Sequence, residues 1–334
     1  MKKQVLSFLL ITICFIHPAT FADTLSDVKK SGFLRCGVST GLIGFSKADE
    51  KGNWKGLDVD ICRAVAAATL GDAQKVKFYP LSAKERFTAL QSGEIDILSR
   101  NTTWTFSRDT TLGLNFAGIS YYDGQGFMLK KNLGINSAKG LNGLTVCLKQ
   151  GTTSELNLID FFKKNNMKYK AISFDTTDQI IKGFASGRCD MVTSDRSQLY
   201  AMRLTLANPE TAIILPEVIS KEPLGPVVRD DDNNWFNIVK WTIYTMLDAE
   251  ELGISRKNIK TLKNNPEPAI RRFLNATGKK LGLDKNWTYT IISEVGNYAD
   301  VFEGNIGNRS PLKIERGFNA LWSDGGLQYA PPIR

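Results

Sequence analysis

A dense run of polar side chains follows a predicted buried strand. Residues 99–109 read SRNTTWTFSRD, and in open α/β sheets ligands bind at the carboxyl ends of strands. The planar guanidinium of Arg108 can hold a carboxylate through two parallel hydrogen bonds, and the Thr103 hydroxyl can add a third. The run therefore predicts a carboxylate-binding site. The alternative is that Thr105 or Ser107 caps a helix while Arg108 pairs with a surface acid.

Two further polar features follow later predicted strands. Residues 150–155, QGTTSE, join a strand to a helix, so their free amides can bind an anion; an ordinary capping box is the alternative. Asp195 follows another strand, where it can meet an ammonium group, or it is a solvated loop residue. Donors for a carboxylate and an acceptor for an amine together suit a free amino acid.

The N-terminus has the pattern of a secretory signal. Lys2 and Lys3 precede an apolar segment that is too short to span a membrane, since a membrane-spanning helix needs about 20 residues. Small residues follow it, and cleavage is predicted after Ala22. Cleavage removes His17, the single histidine of the chain. The mature chain then cannot form Ser-His or Cys-His nucleophilic sites, and most zinc sites need an imidazole as well. We predict no metal and no cofactor.

Composition sets the size and excludes one class of partner. A chain of 334 residues, of which 42% are hydrophobic and 23% charged, is long enough for two globular domains. The formal charge is +9, and removal of Lys2 and Lys3 lowers it by two. Because the basic residues are spread along the sequence, we expect no nucleic-acid partner.

Four cysteines remain after the predicted loss of Cys14. An exported chain enters an oxidising compartment, so two disulfides are expected, with free buried thiols as the alternative. Three pairings are possible. We favour the two in which each bond lies within one predicted domain: Cys36 with Cys62, and Cys147 with Cys189.

Short apolar runs alternate with helical patterns, as in parallel βαβ units. A second unit repeats the first, since LQSGEIDIL and FASGRCDMV both combine a helix end, a Gly turn and a strand. Residues 119–129 and 219–228 are predicted crossovers between two lobes, and a helix is expected over 235–247. The other predicted elements are strands 33–38, 76–80, 95–99, 144–148, 169–174 and 189–193, and helices 57–70, 83–91, 153–165 and 177–185.

Longer phrases resemble one protein family over nearly the whole mature chain. They include RCGVSTGLIGFS, GNWKGLDVDICRAVAAATLGD, YYDGQGFM, ISKEPLGPVVR and the ending YAPPIR. The sequence resembles the periplasmic general L-amino-acid-binding proteins of ABC transporters. The resemblance implies a two-lobed α/β fold of the type II periplasmic-binding class, with two mixed, mostly parallel sheets joined by a two-strand hinge. Lobe one is then residues 23–122 and 224–334, and lobe two is residues 123–223.

The same resemblance implies roles for individual residues. By motif, Arg108, Thr103 and Thr153 hold the ligand α-carboxylate, while Asn101 and Asp195 hold the α-amino group. Arg86 lies where relatives that bind aspartate and glutamate keep an arginine, although a helix-surface arginine is an equal alternative. Relatives specific for cationic amino acids place an acid and a Tyr where this chain has Ser39 and Leu42. The expected side-chain pocket consists of Ser39, Leu42, Phe45, Arg86 and Thr152.

The expected function is capture of free L-amino acids of a broad range, leaning towards acidic or polar ones, for an inner-membrane ABC permease. We expect a periplasmic monomer without enzymatic activity, in which the lobes close on the ligand. The main alternative is an enzyme on this fold, such as a dehydratase acting on prephenate-like acids. A sensor that feeds a membrane kinase is a second alternative.

Overall fold

The chain forms two large β-sheets that are flanked by helices, together with a two-stranded hairpin. The computed structural model describes residues 23–334, so the predicted signal peptide and its cleavage site lie outside the described residues. In chain order the strands are β1 (Leu34–Ser39), β2 (Lys47–Ala48), β3 (Trp54–Lys55), β4 (Val76–Leu81), β5 (Ile97–Leu98), β6 (Leu114–Phe116), β7 (Tyr121–Lys130), β8 (Thr145–Lys149), β9 (Lys170–Phe174), β10 (Met191–Asp195), β11 (Ala212–Ile214), β12 (Ser220–Leu224) and β13 (Val227–Arg229).

Helices fill the connections between these strands and most of the C-terminal third. None of the helices within residues 23–334 is both long enough and apolar enough to cross a membrane. In chain order they are α1 (Thr24–Ser31), α2 (Leu57–Leu70), α3 (Arg86–Gln91), α4 (Phe106–Thr111), α5 (Ser154–Lys164), α6 (Thr177–Ala185), α7 (Arg196–Leu204), α8 (Asn233–Glu251), α9 (Pro268–Leu274), α10 (Trp287–Glu294) and α11 (Tyr298–Asn305).

Both large sheets are mixed, and they follow one plan. The first has the order β4-β1-β5-β13-β6, in which β4, β1 and β5 are parallel and β13 is antiparallel to both of its neighbours. The second has the order β11-β7-β10-β8-β9, in which β10, β8 and β9 are parallel and β7 is antiparallel to β10. In each sheet the parallel strands place their carboxyl ends at one edge, where a ligand site is expected.

Two short crossovers connect the sheets. The chain leaves the first sheet after β6 and enters the second at β7; it returns through β12 and re-enters the first sheet at β13. Strands β7 and β12 pair with each other from Tyr121–Leu224 to Gln125–Ser220. The two crossovers therefore run side by side, which is the geometry of a two-strand hinge.

Helix α2 shows how the local sequence sets the packing. It begins after Gly56, whose φ is +139° and where a Cβ would lie 2.0 Å from the Phe45 carbonyl oxygen, so only glycine fits. Most of its side chains are buried, and it ends at Gly71 in the left-handed conformation. The small alanine side chains allow close packing against α10 and α8.

The C-terminal segment, for which the sequence assigned no role, packs on the first sheet's helices and on the hinge. Helices α10 and α11 contact α2 and α8. The Tyr298 hydroxyl donates to the Ser120 carbonyl over 2.8 Å, and the Asn319 side chain accepts from the Tyr122 amide and donates to its carbonyl over 2.7 and 3.1 Å. The segment is thus part of the support of the hinge.

Most predicted elements are confirmed, with differences at their ends. Helices 57–70 and 177–185 have the predicted bounds. The predicted strand 95–99 has only two residues, because its parallel partner β1 pairs with Ile97 and Leu98 alone. The helix predicted over 83–91 begins at Arg86, and the one over 235–247 extends from Asn233 to Glu251.

Both favoured disulfides are present. Cys36 on β1 is bonded to Cys62 on α2, with Cα atoms 6.3 Å apart, and Cys147 on β8 is bonded to Cys189 before β10, at 5.6 Å. Each bond lies beside one sheet, so neither crosses the hinge. Both pairs of sulfurs belong to fully buried residues.

We predict that replacing Cys147 and Cys189 together by serine lowers the free energy of unfolding by roughly 4 kcal/mol, since the bond closes a long loop of the unfolded chain. Urea unfolding of the mature protein, followed by circular dichroism, measures the change. The reduced parent protein serves as a control and should lose at least as much stability. Unchanged unfolding of the double variant would contradict the prediction.

Candidate ligand-binding cleft

A small cavity lies where the carboxyl ends of the two sheets face each other. Its volume is about 20 Å³, which is space for about one water molecule, so any larger ligand must separate the two sides or move side chains. From the first sheet's side it is lined by Arg86, Arg100, Asn101, Thr103 and Arg108, and from the second sheet's side by Lys149, Thr152, Thr153, Ser154, Ser194, Asp195 and Gln198.

Positive charge dominates this lining. Arg86, Arg100, Arg108 and Lys149 all face the cavity, and Asp195 is the one acidic residue among the lining groups. Within residues 23–334, no carboxylate oxygen lies within 4.0 Å of any of these four cationic groups. Arginine and lysine are rarely buried without a partner anion. The lining is therefore suited to an anionic group that enters from solution.

Burial weakens the proton affinity of all four cations. It lowers the pKa of Arg100 to about 10 and that of Lys149 to about 7, and neighbouring positive charges lower the Lys149 pKa further. The pKa of Arg86 is lowered well below its usual value by burial and then by Arg100 and Arg108. Burial also lowers the pKa of Arg108. These shifts express the cost of removing positive charges from water without a counter-ion.

Arg108 and Arg86 are held in place by neighbouring groups on the first sheet's side. Arg108 donates to the Thr103 carbonyl over 2.8 Å, and its guanidinium carbon lies 5.4 Å from the centroid of the Phe87 ring. The guanidinium carbon of Arg86 lies 4.7 Å from the same ring. Its Nε is buried and has no hydrogen-bond partner among the described residues. A buried unpaired donor of this kind is rare and indicates a site for an acceptor.

Asp195 is the last residue of β10 and is 4% exposed. Burial raises the pKa of its carboxyl well above the usual value, and the nearby Asp123 and Glu222 carboxylates raise this pKa further. Gln198, one turn along α7, donates to Asp195 Oδ2 over 2.6 Å. An ammonium group placed beside Asp195 would offset both the burial and the repulsion by these carboxylates.

Asn101 lies in a strained turn shortly after β5. Its φ of +33° is in the left-handed region, and its amide donates to the buried Asp58 Oδ2 over 2.8 Å. Burial raises the pKa of Asp58 to about 7, and the bond from Asn101 opposes this shift. Asn101 Oδ1 is buried and accepts no hydrogen bond within residues 23–334. This oxygen is an available acceptor beside the cavity.

Glu222 connects the two sides at the hinge. Its Oε2 accepts from Thr103 on one side over 2.6 Å and from Thr153 on the other over 2.8 Å. Its Oε1 accepts from Asn157 over 2.6 Å and Ser220 over 2.7 Å. A buried carboxylate that accepts hydrogen bonds from both sides favours the closed arrangement.

The rim of the cleft is closed as well. Lys84 and Asp175 form an ion pair of 2.7 Å across it, with both side chains half exposed, so the pair contributes about 1 kcal/mol or less. Gly151, with φ +74°, brings its backbone to the opposite side, since a Cβ there would lie 3.4 Å from Lys84 Cγ. The structure thus shows the two sides in contact.

Comparison with known proteins agrees with this geometry. A model of the bacterial extracellular solute-binding proteins, family 3, matches residues 34–261, which is more than half of the chain. The chain belongs to this family. Because its members are solute-binding proteins of transporters, the binding protein described here is not an enzyme, and the dehydratase alternative is set aside.

Relatives with high identity cover nearly the whole binding protein. It is 56% identical, over 95% of its length and 94% of the relative's, to the general L-amino acid-binding periplasmic protein AapJ of Rhizobium johnstonii. It is 50% identical, over the full length of both chains, to the glutamate/glutamine/aspartate/asparagine-binding protein BztA of Rhodobacter capsulatus. A solved periplasmic binding protein from Brucella ovis, with glutathione bound, is 56% identical and has a TM-score of 0.92 over 94% of this chain and all of that one.

Most residues predicted for the site do line the cavity. Seven of them are brought together there: Arg86, Asn101, Thr103, Arg108, Thr152, Thr153 and Asp195. Ser39 and Phe45 are not brought to it. Ser39 is buried at the end of β1, where its amide donates to the Ser46 hydroxyl, and Phe45 is a core residue with its ring edge against Tyr121. Leu42 lines a separate neighbouring cavity.

Of the two helix-capping alternatives that the sequence left open, one is formed and the other is not. Thr105 does cap α4, accepting from the Arg108 amide over 3.3 Å, while the Arg108 side chain still faces the cavity. The capping box that was the alternative for residues 150–155 is not formed, because the Thr152 hydroxyl donates to the Lys149 carbonyl and Thr153 makes no capping bond. The Thr153 hydroxyl is thus available to Glu222.

Several lining residues were missed in the sequence. Arg100 directly follows the predicted strand 95–99, and Lys149 is the last residue of β8, so a cation at the carboxyl end of a predicted strand was the available signal. Gln198 is one turn beyond Asp195 on α7. Glu222, which bonds residues of both sides without lining the cavity, lies within a predicted crossover. Their relevance depends on contacts between distant segments.

We predict that Glu222→Gln lowers the free energy of unfolding by about 1 to 3 kcal/mol, because an amide nitrogen replaces one oxygen that accepts two buried hydrogen bonds. Urea unfolding measures the change. Glu210→Gln removes an exposed carboxylate and is the matched control, with an expected change within about 0.5 kcal/mol. Equal stability of the two variants would show that Glu222 does not hold the hinge region.

Proposed function

We propose that this solute-binding protein captures free L-amino acids in the cleft and delivers them to an ABC permease. An L-amino acid carries a carboxylate and an ammonium on one carbon, and the cleft offers partners for both. The arginine donors lie on the first sheet's side. The acceptors are Asn101 Oδ1 on the same side and Asp195 on the other. The two relatives that are named as amino-acid-binding proteins support amino acids as the class of ligand.

The observation that carries the proposal is the pair of buried, unpartnered atoms at the cavity. Arg86 Nε is a donor and Asn101 Oδ1 an acceptor, and neither has a partner within residues 23–334. A ligand with an anionic group and an ammonium group can satisfy both atoms, and the same two groups match the charges of the arginines and of Asp195. A simple carboxylic acid has no ammonium for Asp195, and a sugar has no charge for either.

The α-carboxylate is assigned to Arg108, Thr103 and Thr153, and the α-amino group to Asn101 and Asp195. Each threonine hydroxyl has one proton, and both donate to Glu222 in this structure. We expect at least one hydroxyl to rotate towards the ligand carboxylate on binding. Asp195 pairs with the ammonium group, and this pairing offsets the cost of burying the Asp195 carboxylate.

The far end of the ligand meets Arg86, Arg100, Lys149 and Thr152. This positive end favours a side-chain carboxylate, and its donors also suit an amide oxygen. Acidic and amide amino acids are therefore the preferred ligands within a broad range. The name of the Rhodobacter capsulatus relative supports this preference.

The family and the two crossovers support a proposal for the cellular setting and for the two lobes. We propose a periplasmic protein cleaved after Ala22, with lobe one formed by 23–122 and 224–334 and lobe two by 123–223. The crossover strands β7 and β12 lie at these boundaries. Ligand binding closes the lobes, and the closed shape is what the permease recognises.

We predict that Arg108→Gln weakens the binding of every L-amino acid by about 100-fold, because it removes the main partner of the α-carboxylate. Isothermal titration calorimetry with L-glutamate and L-glutamine tests this. Arg272→Gln, on the exposed face of α9, is the matched control and should bind as the parent does. If the parent protein bound no amino acid, the proposed function would be wrong.

A second prediction separates the two ends of the ligand. Arg86→Gln should weaken L-glutamate by about 100-fold but L-glutamine by less than about threefold, because only the acidic side chain needs the positive charge. Competition titration on the same preparation measures both constants. Equal losses for the two ligands would place Arg86 outside the side-chain pocket.

A further inference from the structure

A second, larger cavity adjoins the amino-acid site. Its volume is about 450 Å³, and we call it the vestibule. On the first sheet's side it is formed by the turn after β1, Thr40–Ile43, and by the hairpin of β2 and β3; on the other side it is formed by the start of α6 and the end of α7. Like the amino-acid site, it lies between the two halves of the protein.

A side-chain hydrogen bond joins the lining of the vestibule to that of the amino-acid site. Lys149, which lines the site, donates to the Thr177 hydroxyl of the vestibule over 2.6 Å. Helix α7 continues from one to the other, since Gln198 lines the site while Met202 and Thr205 line the vestibule. These positions, spaced by four and three residues, lie on one face of the helix. The Lys149 side chain thus reaches from the amino-acid site to a residue of the vestibule.

We infer that the vestibule holds the peptide portion of γ-glutamyl peptides, whose glutamate head occupies the amino-acid site. This inference rests on the proposed function. A γ-linked glutamate keeps its α-ammonium and α-carboxylate free, so it presents the same two charges to Asp195 and Arg108 as a free amino acid. An α-linked glutamate has lost its α-carboxylate to the peptide bond and lacks the partner for Arg108.

The position and chemistry of the vestibule fit this peptide portion. Lys149 lies at the divide, where the γ-carbonyl of the head would pass and can accept a hydrogen bond. Beyond it, the vestibule offers the apolar side chains of Leu42, Ile181 and Met202, the cation Lys47 on the first sheet's side and the acid Asp178 on the other. A short neutral chain whose terminal carboxylate lies on the Lys47 side matches that combination. The Brucella ovis relative, whose structure contains the γ-glutamyl peptide glutathione, supports the assignment.

The test compares three ligands on the refolded, ligand-free mature protein: L-glutamate, glutathione and the α-linked isomer of glutathione. Calorimetric titration should show binding of the first two and none of the third. S-Methylglutathione repeats the glutathione titration without a free thiol, so that exchange with the two disulfides is excluded as a source of heat. We expect it to bind as glutathione does.

A vestibule variant locates the peptide portion. Thr205→Trp places a large ring in the vestibule from an exposed position at the end of α7 and should weaken glutathione by about tenfold, with L-glutamate changed by less than about threefold. Leu204→Trp, at the exposed neighbouring position that does not line the vestibule, should change neither. Binding of L-glutamate also shows that each variant is folded.

The other outcomes overturn the inference in distinguishable ways. L-Glutamate binding without glutathione binding, equal binding of the α-linked isomer, or an unchanged glutathione affinity in Thr205→Trp would each reject the vestibule and leave the proposed function intact. Absence of binding by both L-glutamate and glutathione would reject the proposed function together with the inference.

Discussion

Unpaired positive charge enclosed between two sheets is the constraint on which this structure depends. Three arginines and Lys149 face a small cavity in which Asp195 is the one lining acid. The other buried carboxylates nearby are already engaged: Glu222 accepts four hydrogen bonds, and Asp58 accepts from the Asn101 amide. The pKa of Lys149, lowered to about 7 by burial, reflects the cost of this arrangement. A ligand carboxylate offsets that cost only when the sides are closed, so binding and closure are coupled.

The scaffold places the site groups on two sheets and joins the two sides through two crossover strands. Asp195 and Lys149 are the final residues of β10 and β8, and the loop from Ser99 to Arg108 follows β5. Each disulfide lies beside one sheet, and the C-terminal segment braces the hinge through Tyr298 and Asn319. Site groups placed at strand ends therefore keep their positions within each side, while β7 and β12 carry the movement between the sides.

The sequence predicted the features that follow from local patterns and from strand ends, but not the contacts that isolated residues make with distant segments. The helical spacing of apolar residues, together with the turn residues, was enough to predict the bounds of α2 and α6. The arginine and hydroxyl groups after β5 pointed to Arg108 and Thr103. The parallel strands explain why Asp195 was also found, because their carboxyl ends meet at one edge. Glu222, by contrast, is one acid in a crossover, and its four partners come from segments up to 119 residues away. Phe45 is not brought to the cavity, and the sequence does not show that its ring turns into the core against Tyr121.

Small-angle X-ray scattering of the refolded, ligand-free protein, with and without L-glutamate, tests the coupling of charge and closure most directly. The account predicts an extended, open form without ligand, because the buried cations have no counter-ion, and a smaller radius of gyration that matches the closed structure once L-glutamate is added. A ligand-free protein that is already as compact as the closed structure, and that does not change with L-glutamate, would contradict it.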